Sequence, residues 1–154
     1  MIITWQQAQS LPPLSDRIVH IWCASLRASP KKLYDLWNLL VGDEKKQADE
    51  FISVQAKEEF IVSRGILRLL LSKYLGTVSE KLIFRRGKYG KPYIQDVTKQ
   101  LPLQFNISHS QDLALFAFTL DSEIGVDIEY IQTDFAYEEI APQFFFETRK
   151  YYFV

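Results

Sequence analysis

Cysteine is almost absent. One residue, Cys23, stands in 154, so an internal disulfide and a cysteine-rich metal site are both excluded. A reducing compartment suits such a chain. Charge of one sign is also lacking. The formal net charge is -1, which gives no global attraction to nucleic acid or to an anionic membrane. Any anion site must therefore come from local clustering. No apolar run is long enough to cross a bilayer. The start, MIITWQQAQSLPPLSD, has no basic stretch leading into an apolar core, so no signal peptide is expected. Internal repeats and low-complexity segments are missing as well.

What is present describes a globular domain with a real core. Hydrophobic residues make up 47% and charged residues 24%, and the length suits one ordinary domain. Residues 17–26 (RIVHIWCASL) are β-branched and aromatic and predict a strand. Ser29-Pro30 predicts a helix start. Leu33, Leu36, Trp37 and Leu40 then recur at helical spacing up to Gly42. GDEKKQADE predicts a short helix with solvated charges.

The strongest helix runs from Val54 to Gly76, with Ser53 as N-cap and Gly76 as stop. Phe60, Leu67, Leu71 and Tyr74 form one stripe, and Arg64 falls inside it. A guanidinium aimed at a core face is costly unless an anion meets it. Short strands are expected at 81–86, 92–95, 103–107, 113–120 and 124–130. The fold class is α+β, an antiparallel sheet packed on the long helix. His20 reads as a satisfied structural histidine, and Cys23 as a small buried apolar residue. From Phe144 to Phe153 six of ten residues are aromatic. That run reads as a fold continuing past the chain's last residue.

Three clusters carry chemistry. A three-residue turn at 121–123 would set Leu120 opposite Ile124 in a hairpin. Ala117 would then oppose Asp127, and Leu115 would oppose Glu129. Alternation puts Asp127 and Glu129 on one face, about 7 Å apart. Two such acids repel unless a hard cation such as Mg²⁺ sits between them. Taken alone, D-x-E is more simply an ordinary solvent-facing strand with two acids, a reading that the apolar neighbours and the Ser-His pair weaken. Ser108-His109, after Asn106-Ile107, offers donors for a phosphate, and taken alone is more simply a polar turn. Arg85, Arg86, Lys88 and Lys91 crowd a turn with Gly87 and Gly90. That is either an anion site or a solvated basic loop. A metal-nuclease reading of D-x-E lacks a lysine close after Glu129 and a basic face.

Taken in order, SRGILRLLLSKYLG, GKYGKPYI, FNISHS and GVDIEY resemble the 4′-phosphopantetheinyl transferases of the two-lobed type, over roughly residues 15–146. The resemblance implies the first lobe of a pseudo-twofold fold in residues 1–120 and the opening of a second, incomplete lobe in 121–154. It implies Mg²⁺-dependent transfer of the phosphopantetheine arm of coenzyme A to a serine of an apo acyl or peptidyl carrier protein. Such carriers serve fatty-acid, polyketide and nonribosomal peptide synthesis, and the expected location is cytoplasmic. Asp127 and Glu129 would be the catalytic, metal-holding acids. Ser108 and His109 would contact coenzyme A phosphates, Lys91 the adenine nucleotide and Arg64 the 3′-phosphate. The family's W-x-x-K-E segment, source of a third metal-ligating acid, has no counterpart here, and the last tryptophan is Trp37. Glu147 is a poor match for any family acid. The absence argues against activity of this chain alone, and leaves a non-catalytic module binding coenzyme A or a carrier protein as the alternative.

Overall fold

The computed structural model describes residues 5, 10–88, 90–95, 103–120 and 122–131. Two compact units divide the chain, Gln7–Glu129 and a second made of Met1–Gln6 with Tyr130–Val154. Of the second, Trp5, Tyr130 and Ile131 are described, and all three are exposed. The aromatic run after Phe144 lies outside the described residues, as does Glu147.

Gln7–Glu129 is α+β, as the sequence predicts. Strand β1 (His20–Ser25) leads into α1 (Pro30–Leu39), α2 (Gly42–Asp49) and α3 (Val54–Leu75). A 3₁₀ turn at Ser79–Lys81 precedes β2 (Ile83–Arg86), β3 (Pro92–Gln95), β4 (Leu103–Ser110) and β5 (Leu113–Leu120). The strands make two antiparallel sheets, β1-β5-β4 and β2-β3.

The helix boundaries follow local chemistry. The Ser29 hydroxyl caps α1 by accepting from the Lys32 amide at 3.3 Å, and Pro30 opens the first turn. Ser53 caps α3 through the Ala56 amide at 3.3 Å. Gly76 ends α3 in the left-handed region at φ 59°, where a glycine carries no Cβ penalty. Gly42 opens α2 rather than closing α1.

One face of the three-stranded sheet carries the core. Phe118 pairs with His20 and Phe105, and Phe116 with Trp22 and Ile107, so these residues share a side. Phe105, Phe116 and Phe118 cluster there with Val62, Leu67 and Leu71 of α3, all six at most 3% exposed. Burying one such side chain contributes about 1.5–3 kcal/mol. Within the predicted α3 stripe, Leu67 and Leu71 are fully buried, while Phe60 and Tyr74 are half-buried. Helices α1 and α3 meet at Gly65. A Cβ there would lie 2.8 Å from Leu36 Cβ and 3.1 Å from its carbonyl oxygen.

Three local expectations are corrected. Residues 122–131 form no strand and no hairpin with β5. Both edges of β5 are occupied: Ala117 pairs with Ile21 and Asn106, Leu115 with Cys23 and Ser108, and Leu120 faces Leu103. Cys23 is exposed, because alternation along β1 turns it away from the face that holds Trp22. The charges of GDEKKQADE are not all solvated. Glu44 is 7% exposed. His20 is satisfied as expected, with Nδ1 2.7 Å from the Tyr74 hydroxyl, which also accepts from Trp22 Nε1 at 2.8 Å.

Candidate active site

Strand β4 organises the site. The motif FNISHS lies inside this strand, not in a turn. The turn comes later, at Gln111-Asp112, with Gln111 at φ 54°. Alternation therefore sends Asn106 and Ser108 to one face and Phe105, Ile107 and His109 to the other. His109 is exposed on its face.

The segment from Ile124 to Glu129 is held by side chains. The Val126 amide donates to Asn106 Oδ1 at 3.0 Å. The Ile128 amide donates to Ser108 Oγ at 3.2 Å. Ser108 Oγ in turn donates to Asp127 Oδ1 at 2.7 Å. Upstream, Lys91 Nζ donates to the Ile124 carbonyl at 2.8 Å. Burial alternates along this segment: Ile124, Val126 and Ile128 are half-buried, and Asp127 and Glu129 are exposed. The acids thus share a side as expected, although no strand ladder puts them there. Ser108, Asp127 and, through Ile124, Lys91 are brought together.

The basic turn is shaped by backbone bonds. The Gly87 amide donates to the Lys91 carbonyl, and the Gly90 amide to the Gly87 carbonyl, both at 2.9 Å. Gly90 takes φ 80°, a conformation that favours glycine. Arg85 is engaged by Gln95 Oε1 at 2.6 Å.

Arg64 belongs to a second cluster. Its guanidinium packs over Phe84 at 4.8 Å and Phe60 at 5.7 Å. Its Nε lies 3.6 Å from Glu44 Oε1, close enough for an ion pair and too far for a good hydrogen bond. Arg64 Nη1 and Glu44 Oε1 are both buried without a hydrogen-bond partner. Burial pulls the Arg64 guanidinium below its ordinary range. Glu44 opposes that shift, and the nearby Arg68 and Arg86 charges add to it.

Arg68 is more deeply placed, at 1% exposure. Its Nε donates to Glu44 Oε2 at 2.6 Å, its Nη1 to the Ser79 carbonyl, and its Nη2 to the Leu82 carbonyl at 3.2 Å. Glu44 Oε2 also accepts from the Val41 amide at 3.1 Å. One carboxylate therefore serves two arginines and the start of α2. The three side chains sum to one surplus positive charge, with Arg64 holding the unspent donor. Phe84, under Arg64, contacts Phe105 edge-on at 6.3 Å. That contact relates Arg64 to the β4 face that carries His109.

Sequence reasoning missed Glu44, Arg68 and the clipping role of Asn106. A signal existed for Arg68: it lies four residues after Arg64, on the same helix face. For Glu44 the three-residue spacing after Val41 offered a weak one.

The family model "4'-phosphopantetheinyl transferase, N-terminal" matches residues 25–120. The chain belongs to the 4′-phosphopantetheinyl transferase family. Among curated relatives, it is 37% identical over 143 residues to the 4′-phosphopantetheinyl transferase HetI of Nostoc sp., covering 92% of this chain and 60% of that protein. It is 32% identical over 109 residues to the 4′-phosphopantetheinyl transferase gsp of Aneurinibacillus migulanus, covering 70% and 42%. The human L-aminoadipate-semialdehyde dehydrogenase-phosphopantetheinyl transferase is 28% identical over 105 residues, covering 67% and 33%. The chain thus spans less than two thirds of the length of these relatives. The α+β fold of Gln7–Glu129 is consistent with the first lobe of this family. Among the described residues, no helix is long and apolar enough to cross a membrane.

Proposed function

We propose that this chain takes part in transfer of 4′-phosphopantetheine from coenzyme A to a serine of an apo acyl or peptidyl carrier protein. Residues 1–120 would form the first lobe, and 121–154 the opening of the second. The observation that carries the reading is the acid segment: Asp127 and Glu129 are presented on one exposed side, with Ser108 bonded to Asp127 and Lys91 anchoring the same segment. Two exposed carboxylates are hard oxygen donors and fit Mg²⁺, which commonly takes one or two carboxylates with water and substrate phosphate. Asp127 and Glu129 would hold the ion. When bound, it would supply charge neutralisation at the pyrophosphate.

In this reading the carrier serine hydroxyl gives up its proton to solvent, and its oxygen forms a bond to the phosphorus bearing the pantetheine arm. The pyrophosphate P–O bond breaks, and adenosine 3′,5′-bisphosphate departs. Phosphoryl transfer of this kind depends on positioning and electrostatics more than on covalent chemistry by the protein. Arg64, with its unspent donor and the surplus charge around it, suits the 3′-phosphate. His109 lies on the β4 face related to Arg64 through Phe84 and Phe105, and would meet a phosphate there. Lys91 would lie by the adenine nucleotide. The reaction and the lone cysteine both suit a cytoplasmic protein.

The test is incubation of the purified chain with coenzyme A, Mg²⁺ and an apo carrier protein, read by intact mass of the carrier. A phosphopantetheine adduct that vanishes with Asp127→Ala would show that the residues present here suffice for transfer. Coenzyme A binding without any adduct, while a full-length family enzyme modifies the same carrier, would make this chain a binding module.

A further inference from the structure

We infer that Asn106 and Ser108 are positioning residues, forming a side-chain clip that sets which way Asp127 and Glu129 face. The inference rests on the reading of those acids as metal-holding. The segment they occupy has no strand ladder to fix it. Half-buried backbone amides still need acceptors. Asn106 Oδ1 and Ser108 Oγ supply them, to Val126 and Ile128 respectively.

The spacing explains why this works. Asn106 and Ser108 are two residues apart on one face of β4, about 7 Å along the strand. Val126 and Ile128 have the same two-residue separation, and the Lys91 contact to Ile124 continues the period upstream. A slip by one residue would break all three contacts. It would also turn the acids inward and their apolar neighbours out.

Ser108 has a second part in the arrangement. A hydroxyl owns one proton, and that proton goes to Asp127 Oδ1 at 2.7 Å. Its oxygen already accepts from Ile128. Ser108 thus orients a carboxylate, as outer partners of metal-ligating carboxylates do.

The experiment uses the full chain, with Mn²⁺ as the probe and no coenzyme A. Mn²⁺ affinity comes from the paramagnetic signal of the free ion. Amide exchange is read by NMR at Val126 and Ile128, with Val62 and Leu71 of the core as the control for folding. Asn106→Ala should speed exchange at Val126, and Ser108→Ala at Ile128. Ser108→Ala should weaken Mn²⁺ binding by roughly 10–100-fold, the usual cost of losing an outer partner of a metal ligand. Asn106→Ala, which frees the backbone one residue before Asp127, should weaken it by less. Ser108→Thr keeps the hydroxyl and should stay near wild type in both readouts. Unchanged exchange at Val126 and Ile128 would overturn the clip. Unchanged Mn²⁺ affinity in both alanine variants would overturn the positioning role. A wild-type chain that binds no Mn²⁺ would sink the metal-acid reading itself, and the exchange rates would then decide the clip alone.

Discussion

The Ser108 hydroxyl and the Asp127 carboxylate, 19 residues apart, meet at 2.7 Å. The contact joins FNISHS to GVDIEY, two motifs that the sequence presents separately. Asp127→Asn separates geometry from charge at this point. Asparagine keeps a carbonyl oxygen that can accept from Ser108, and loses the anion. Mn²⁺ affinity should fall by at least about 10-fold, as for a lost metal contact, with the thermal midpoint nearly unchanged. Equal affinity in the variant would remove Asp127 from the metal site.

Arg64 tests the second cluster. Arg64→Gln should weaken coenzyme A binding by about 10-fold, the loss of one charge-assisted contact. Binding of coenzyme A lacking the 3′-phosphate should hardly change. Calorimetric titration with both ligands gives the ratio. A parallel loss for the two would place Arg64 away from the 3′-phosphate.

Glu44 should matter more to stability than Arg64 does. Glu44→Gln leaves two neighbouring guanidiniums, one of them 1% exposed, without their counter-charge. Breaking a buried ion pair this way costs about 3–5 kcal/mol. Arg64→Gln gives up one loose pair at 3.6 Å and leaves Arg68 to neutralise Glu44, so it should cost less. Urea unfolding measures both. The opposite order would show that Glu44 is not the centre of this network.

Gly65→Ala probes the α1–α3 approach. Alanine is the better helix former by about 1 kcal/mol. The added Cβ, however, meets Leu36 Cβ at 2.8 Å and its backbone oxygen at 3.1 Å, neither of which can swing away. Overpacking of about 1–3 kcal/mol should win, giving a lower urea midpoint. A stabilised variant would show that the helices separate at little cost.

His20 predicts a pH dependence. Burial holds its pKa below the ordinary value of 6.5. The unfolded chain therefore takes up the proton at a higher pH than the folded one. The stability His20 contributes is complete above about 6.5 and is lost as pH falls through the lower folded pKa. Urea midpoints measured across that range should fall less steeply in His20→Gln than in wild type. Identical slopes would assign the acid sensitivity to other groups.

Much of this protein was legible before folding was considered. Ser53 and Gly76 bound α3 because capping is local chemistry between neighbours. The core face of α3 at Leu67 and Leu71 follows from helical period. The alternation that pairs Asp127 with Glu129 follows from extended backbone, and it survives without a strand. These features depend on spacing over a few residues, which a sequence displays directly.

Other features were decided only in three dimensions. The sequence predicts a hairpin between β5 and residues 124–130, yet β5 spends both edges on β1 and β4. Strand pairing is a competition among distant segments for the same backbone donors and acceptors, and no local pattern ranks the competitors. Glu44 looks solvated in GDEKKQADE because its partners, Arg64 and Arg68, come 20 and 24 residues later. Whether a charge is buried depends on what arrives to neutralise it. The family was thus written in four short motifs. Which hydroxyl holds which acid was decided by how β4 and its neighbours pack.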